Sequence, residues 1–164
     1  LLENRSIDLG IVEGHSRSTS LKYVEFLKDQ IVLLTSARNA NSKKEIVTLK
    51  TLLQFPFLLR EPGSGSLEVI AHALKSIGIS LKELMVEMQL ASTESIKSYL
   101  MSSQCFAFLS IHSVSDELKN NDLKIIDIKG LKIERYFYFI QSHGEAESIS
   151  NLFMRFATNH NFRE

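Results

Sequence analysis

Hydrophobic and polar residues alternate along this chain at spacings that predict several short β-strands. Near the start, apolar residues at positions 7, 9 and 11 predict a strand that ends at the turn formed by Glu13 and Gly14. Further strands are predicted over residues 30–35, 57–59, 86–90, 106–109, 123–128 and 133–140. The segments between most of these strands carry a different, helical spacing.

Helices are predicted between the strands because apolar residues recur there every three or four positions. The clearest pattern begins near Ser64 or Gly65 and continues through Leu67 and Ile70. A second helix follows Ser92, which is predicted to be its N-cap. Other helices are predicted over residues 48–53 and 111–119, and a last one carries Ile149, Leu152, Phe153 and Phe156 on one face. This alternation predicts an α/β fold with largely parallel strands and helices on both faces of the sheet.

Composition limits the functions that are open to the chain. Its 164 residues suffice for one domain or for two small intertwined lobes. The 19 Lys and Arg balance the 19 Asp and Glu and form no basic stripe, so nucleic-acid binding by this segment is not expected. The five histidines and single cysteine lack metal-ligand spacing, and no apolar run is long enough to cross a bilayer. We predict an intracellular protein without metal or cofactor.

The first residues indicate that the chain is part of a longer protein. It opens with Leu1-Leu2-Glu3, which resembles a helix interior and is neither a start methionine nor a signal peptide. We therefore expect an upstream segment, including any DNA-binding or targeting segment, to lie outside this sequence.

The stretch after the third predicted strand has the composition of an anion-binding turn. Pro62 ends the strand, and Gly63 and Gly65 permit backbone angles that direct successive N–H groups toward one point. The helix that begins near Ser64 adds free N–H groups and the positive end of its dipole, so a carboxylate, sulfate or phosphate fits there. The same turn also fits an ordinary capped connection between a strand and a helix.

The spacing of the glycines and serines excludes the better-defined binding and catalytic motifs at this turn. Glu68 stands where a dinucleotide-binding fingerprint needs glycine, and no lysine follows the glycines as in a P-loop. The order Gly63-Ser64-Gly65-Ser66 differs from the Gly-x-Ser-x-Gly order of a nucleophile elbow. An enzyme is therefore not expected.

Several ordered blocks of the sequence resemble the effector-binding domain of LysR-type transcriptional regulators. They are residues 7–14 (IDLGIVEG), the leucine and proline pattern of residues 48–57, residues 60–66 (REPGSGS), residues 92–97 (STESIK) and the strand end Leu109-Ser110. The resemblance covers essentially the whole chain in the family's order and spacing. Three features differ: Ser66 stands where threonine is common, Ser103 and Cys105 replace glycines, and the family's first strand and helix are missing.

The resemblance implies a two-lobed fold similar to a type 2 periplasmic binding protein, with a ligand cleft between the lobes. Residues 1–33 with 132–164 are then expected to form lobe I, and residues 34–131 lobe II. Two crossing strands, near residues 31–35 and 133–138, are expected to join the lobes. The winged helix-turn-helix that binds DNA in this family is expected outside this chain.

The resemblance also implies a set of effector-binding residues. They are Glu13 and Gly14 at the cleft rim, Ser64, Gly65 and Ser66 at the N-terminus of one helix, Ser92 and Thr93 at the N-terminus of another, and Ser110 on the opposite wall. For each serine or threonine taken singly, an ordinary helix cap is the alternative.

The function that the resemblance implies is that of a sensory domain. It binds a small, anionic metabolite and transmits lobe movement to the DNA-binding domain of a bacterial, cytoplasmic regulator. Homodimers, and tetramers of the full-length protein, are expected. A solute-binding protein of a transporter has the same fold and is the alternative. Some relatives sense oxidants through two cysteines, so the lone Cys105 favours a buried, unreactive thiol over a redox sensor.

Overall fold

A computed structural model of the chain describes residues 1–2, 4–13, 18–143 and 149–160. The chain divides into two compact units, one formed by residues 1–28 and 135–164 and the other by residues 29–134. Two long strands, Leu21–Ser36 and Ile133–Ser142, contribute to both units. The first unit is therefore built from the two ends of the chain, and the second from its middle.

Strands and helices alternate along the chain, as the spacing of apolar residues predicts. The strands are β1 (Gly10–Glu13), β2 (Leu21–Ser36), β3 (Ile46–Val47), β4 (Pro56–Arg60), β5 (Met85–Leu90), β6 (Phe106–Ser110), β7 (Leu123–Ile128) and β8 (Ile133–Ser142). The helices are α1 (Leu49–Leu52), α2 (Gly65–Ser76), α3 (Thr93–Met101), α4 (Ser115–Lys119) and α5 (Ile149–His160). Short 3₁₀ turns cover Ala40–Lys43, Leu81–Glu83 and Ile111–Val114.

Two strands differ in extent from the sequence prediction. β1 begins at Gly10 rather than at residue 7, and β2 begins at Leu21 rather than at residue 30. The first half of β2 carries Lys22, Glu25 and Lys28 at intervals of three residues. That spacing hides the two-residue period of a strand, which explains why the prediction recovers only the apolar second half.

The second unit carries a sheet with the strand order β2-β6-β4-β5. Strands β4, β5 and β6 run parallel to one another, and β2 runs antiparallel to β6. On its other side β2 pairs antiparallel with β7, which pairs in parallel with β3. The carboxyl ends of the parallel strands β4, β5 and β6 therefore lie together at one edge of the sheet.

Helices cover both faces of this sheet. On one face, Phe57 and Phe106 pack in the cluster that contains Leu67 and Ile70 of α2. On the other face, Leu58 and Ala107 pack in the cluster that contains Ile96 and Leu100 of α3. Because successive strand residues point to opposite faces, β2, β4 and β6 each contribute to both clusters, whereas β5 contributes only Leu90, which packs against the second. The prediction of helices on both faces is confirmed. The prediction of largely parallel strands is wrong outside β3 with β7 and β4 with β5 and β6, because β2 pairs antiparallel with β6 and β7, and β1 with β8.

The first unit has its own small sheet and core. β1 pairs antiparallel with β8, from Gly10 opposite Ile140 to Glu13 opposite Phe137. Helix α5 packs Met154 and Ala157 in a cluster with Phe139. The apolar residues predicted on one face of α5 are instead largely exposed: Ile149, Leu152, Phe153 and Phe156. Among the described helices, none has the length and apolar character needed to span a membrane.

Candidate functional site

One edge of the second unit's sheet gathers most of the predicted effector residues. β4 ends at Arg60 and leads into the N-terminus of α2, and β5 ends at Leu90 and leads into α3. β6 ends at Ser110. Since these strands are parallel, their carboxyl ends lie at the same edge. The residues placed there are Ser64, Gly65, Ser66, Ser92, Thr93 and Ser110.

The N-terminus of α2 lies in the predicted anion-binding turn. Ser64 is the N-cap of this 12-residue helix, and its side chain makes no capping hydrogen bond although the residue is only 8% exposed. Gly63 has a φ of +86°, in the left-handed region that favours glycine. The expectation that Gly65 also supplies an unusual backbone angle is wrong, because Gly65 is the first residue of α2 and has helical geometry.

Arg60 links this turn to the start of α3. Its guanidinium donates hydrogen bonds to both carboxylate oxygens of Glu61, at 2.8 and 3.0 Å, and to Oγ1 of Thr93 at 3.4 Å. The hydrogen bond to Glu61 raises the pKa of Arg60 and lowers the pKa of Glu61. Arg60 therefore forms an ion pair with Glu61 in the turn before α2 and also contacts the first residue of α3. The sequence analysis did not single it out, although it stands in the REPGSGS block.

Ser92 acts as the predicted helix cap. Its Oγ accepts a hydrogen bond from the backbone N–H of Ser95 at 3.4 Å, and Ser92 is the N-cap of α3. The capping prediction is therefore confirmed. Contact of Ser92 or Thr93 with an effector stays a prediction, and the hydroxyl of Thr93 already accepts from Arg60.

Ser110 is bound to a buried carboxylate that the sequence analysis missed. The Oγ of Ser110 donates to Oδ1 of Asp29 at 2.8 Å, and Asp29 is 2% exposed. Nε2 of His112 lies 3.9 Å from the same carboxylate oxygen. The hydroxyl of Ser113 donates to the carbonyl of Ser110 at 2.7 Å, within the turn after β6. The Ser110 hydroxyl is thus held by a neighbour rather than free to rotate.

Glu13 lies in the first unit and has a basic partner there. Its carboxylate oxygens accept from Nη1 of Arg135 at 3.3 and 3.4 Å. Arg135 is 8% exposed, and its guanidinium lies 4.8 Å from the centre of the Phe137 ring. Arg135 is a second cation that the sequence analysis did not single out. Gly14, the other predicted rim residue, lies outside the described residues.

Lys97 connects α3 to the segment that follows Ser110. Its Nζ lies 2.8 Å from Glu117 and 3.0 Å from Glu94, and it donates to the carbonyl of Ser113 at 3.0 Å. Burial lowers the pKa of Lys97, but the hydrogen bonds to the two glutamates and their negative charges together outweigh burial and leave the pKa above its ordinary value. Burial raises the pKa of Glu117, but the hydrogen bond from Lys97, a backbone hydrogen bond and the charge of Lys97 together outweigh burial and leave the pKa below its ordinary value. Lys97 thereby links α3 to α4 and to the turn after β6.

The described part of the chain contains no arrangement of side chains typical of a metal site, and its cysteine is buried. No group of three or more His, Cys, Asp or Glu side chains among those residues is arranged to hold a metal ion. Cys105 is a free cysteine and is 5% exposed, which confirms the prediction of a buried thiol. Its backbone N–H donates to the hydroxyl of Ser103 at 3.2 Å.

Comparison with known proteins shows matches over nearly the whole chain. The family model described as "LysR substrate binding domain" matches residues 1–161. The phosphonates import ATP-binding protein PhnC of Anaeromyxobacter dehalogenans is 28% identical over 135 residues, which covers 82% of this chain and 27% of that protein. The HTH-type transcriptional activator CmpR of Synechocystis is 24% identical over 148 residues, covering 90% and 48% respectively. The chain thus spans about half or less of these relatives.

Solved structures show the same fold. The regulatory domain of CcmR from Synechocystis, in complex with 2-PG, matches with a TM-score of 0.80 and 24% identity over 96% of this chain and 75% of that one. The effector-binding domain of QuiR, in complex with shikimate, matches with a TM-score of 0.74 and 16% identity over 97% and 74%. These likenesses confirm the two-lobed, periplasmic-binding-protein-like α/β fold. Because the family model extends over residues 1–161, the chain belongs to the LysR substrate-binding domain family.

Proposed function

We propose that this chain is the effector-sensing domain of a LysR-type transcription regulator. It binds a small anionic metabolite between its two lobes, and the resulting lobe movement acts on a DNA-binding domain elsewhere in the full-length protein. The proposed lobes are residues 1–33 with 132–164, and residues 34–131. The protein is proposed to be cytoplasmic and to form homodimers, with tetramers in the full-length regulator.

The N-terminus of α2 supports an anionic effector most directly. Free N–H groups of the first helical turn and the helix dipole favour a negative charge there. Ser64 adds a buried side chain that is not used for capping, and Arg60, which is ion-paired with Glu61, lies at the same sheet edge. Shikimate, the molecule bound to the QuiR domain, is a hydroxylated carboxylate. An acid of similar size is the class of effector that we propose for this chain.

The family match weighs against the alternatives considered from the sequence. The model that matches residues 1–161 describes the LysR substrate-binding domain, a regulatory domain of transcription factors rather than an enzyme. The relative CmpR is a transcriptional activator. A solute-binding protein of a transporter, which has the same general fold, is therefore not the function that we propose.

Replacing Gly65 with valine is expected to weaken anion binding by at least tenfold, because a branched side chain at the first helical position blocks the approach of an anion to the backbone N–H groups. Ser66→Ala removes one hydrogen bond worth about 1 kcal/mol, so its affinity is expected to fall only about fivefold. Isothermal titration with a panel of small carboxylates and phosphate esters, including shikimate and 3-phosphoglycerate, measures both effects.

The matched control is Ser76→Ala, at the other end of α2, where the hydroxyl donates to the carbonyl of Ala73. It is expected to bind as the parent does. Equal affinities of Gly65→Val and the parent would show that the turn is only a helix cap, and the proposed anion site would then be wrong.

The chain alone is expected not to bind DNA specifically, because its charges balance and leave no excess of cations for phosphate contacts. Mobility-shift assays at low salt, with the upstream regions of candidate operons as probes, test this expectation. A sequence-dependent shift by this chain at submicromolar concentration would contradict the proposed division between sensing and DNA-binding domains.

A further inference from the structure

We propose that Asp29 fixes the hydroxyl of Ser110 as a hydrogen-bond acceptor, so that the effector is an anion that also carries a hydrogen-bond donor, either a hydroxyl or an ammonium group. This inference rests on the proposed function, because it assumes an effector at the carboxyl edge of the second unit's sheet. It adds the chemical class of the effector's second polar group and assigns a positioning role to a buried residue.

The hydrogen bond between Ser110 and Asp29 has a fixed direction. An ionised carboxylate has no hydrogen to donate, so the Ser110 hydroxyl is the donor in the 2.8 Å contact with Oδ1 of Asp29. Asp29 is 2% exposed, so water does not compete effectively for that carboxylate. With its hydrogen donated to Asp29, the Ser110 hydroxyl can only accept a further hydrogen bond.

The pairing of the strands explains why the two residues meet. β2 and β6 are antiparallel, with Ile31 opposite Ser110. Asp29 lies two residues from Ile31 along β2, so it is a diagonal neighbour of Ser110 on the same face of the sheet. The contact is therefore built into the register of two strands rather than into a loop.

Ser110 also lies close to the start of the proposed anion site. In the parallel pair of β4 and β6, Leu58 lies opposite Ala107, so Ser110 is level with the loop that follows Arg60. Neighbouring strands lie about 4.8 Å apart. Alternation places Ser110 on the face of Phe106 and Phe108, the same face that α2 covers. A small molecule held at the N-terminus of α2 therefore lies within reach of the Ser110 oxygen.

Electrostatics sets the orientation of that molecule. The carboxylate of Asp29, with Nε2 of His112 3.9 Å from its Oδ1, occupies the position beside Ser110, whereas the N-terminus of α2 offers free N–H groups to an anion. The anionic group therefore belongs at α2 and the donor group at Ser110. A serine hydroxyl without the buried carboxylate would rotate and donate to an anion; here it does so only by giving up its bond to Asp29.

Probes that differ in one group test this inference. One set is 3-phosphoglycerate, O-phosphoserine and 3-(phosphonooxy)propanoate, which carry a hydroxyl, an ammonium or only hydrogen at the same carbon. A smaller set is lactate, alanine and propionate. In titrations of the parent chain, a donor-bearing member is expected to bind at least about tenfold more tightly than the donor-free member, because a site built around a polar partner rejects the analogue that lacks it.

Three variants locate the origin of that preference. Ser110→Ala removes the acceptor and is expected to reduce the preference below about threefold. Asp29→Asn provides an amide that can either accept from Ser110 or donate to it, so the hydroxyl is no longer held as an acceptor only, and a smaller reduction is expected. Combining them is expected to reduce it no further. Ser113→Ala removes a different hydroxyl from the same turn and is expected to keep the preference. If a general disturbance of the turn caused the loss in Ser110→Ala, Ser113→Ala would lose the preference as well.

Each outcome has a separate meaning. Equal binding of the members of each set, or an unchanged preference in Ser110→Ala, would overturn this inference while leaving the anion site intact. Binding of none of the probes would overturn the proposed anion site and this inference with it. A preference for the hydroxyl or for the ammonium member identifies which donor the effector carries. If Asp29→Asn fails to fold, the comparison of Ser110→Ala with Ser113→Ala still decides.

Discussion

Replacing Phe106 with alanine is expected to lower the free energy of unfolding by about 3–5 kcal/mol. The Phe106 side chain is fully buried, and its ring stacks on that of Phe55 with 3.8 Å between the ring centres. The ring of Phe57 lies 6.4 Å away on the same face. β6 is an inner strand between β2 and β4, so the cavity opens in the packed core between the sheet and α2, where neighbouring side chains relax little. The free energy of unfolding of a whole domain is about 5–15 kcal/mol, so this change removes a large fraction of it.

Urea unfolding followed by circular dichroism measures this change. Phe153→Ala is the matched control, because Phe153 is 52% exposed and touches Phe139 only edge-on. Its expected cost is below about 1 kcal/mol. Similar losses in the two variants would contradict the view that the stacked phenylalanines are a main source of stability in the second unit.

The alternating pattern of strands and helices could be predicted because its signals are local. Pro62 and Gly63 mark the end of β4, and Ser92 caps α3 as predicted. β5 is marked by the alternation of Val86, Met88 and Leu90 with polar residues, and β6 by a short apolar run. Once β4, β5 and β6 are recognised as strands separated by helices, their parallel arrangement and common carboxyl edge follow.

The first half of β2 and the exposed side of α5 could not be predicted in the same way. Residues 21–29 form a strand although their charges recur at a helical interval, because pairing within the sheet outweighs local preference. The apolar face of α5 follows helical spacing, but spacing alone does not specify which side of a helix is covered. Met154 and Ala157, rather than Leu152, pack against Phe139.

The partners of the candidate site residues depend on contacts between distant parts of the chain. Glu13 meets Arg135, and Ser110 meets Asp29, across 122 and 81 residues of sequence respectively. No local motif pairs such residues, so the sequence analysis named one member of each pair. Arg60 is different, since it adjoins the glycine and serine turn and its charge suits an anion. The lobe boundaries and the effector contacts themselves stay predictions.

Replacing Lys97 with methionine is expected to cost about 3 kcal/mol of stability, because it leaves the Glu117 carboxylate without its cation. The side chains of Lys97 and Glu117 are 11% and 17% exposed, so water compensates little for the loss. Methionine keeps the length of the apolar stem, so most of the loss reflects charge and hydrogen bonds rather than packing. The same change should loosen α3 from the turn after Ser110 and weaken anion binding.

The cost of Lys97→Met is expected to depend on pH at both extremes. The pKa of Glu117 is lowered in the folded chain, so its contribution is present above the unfolded-state pKa and is lost as pH falls through the folded-state pKa. The pKa of Lys97 is raised, so its contribution is present below its unfolded-state pKa and is lost as pH rises through the folded-state pKa. The stability difference between parent and variant is therefore largest near neutral pH.

Urea unfolding of the parent and of Lys97→Met across the pH range measures this dependence. The double variant Lys97→Met with Glu117→Leu separates charge from packing, because replacing both members of a buried ion pair with apolar residues is often neutral or stabilising. It is expected to recover most of the lost stability and to show a flatter pH profile. A double variant less stable than Lys97→Met, or a stability difference independent of pH, would show that Glu117 gains little from Lys97 and that α3 is held chiefly by its apolar contacts with β4 and β6.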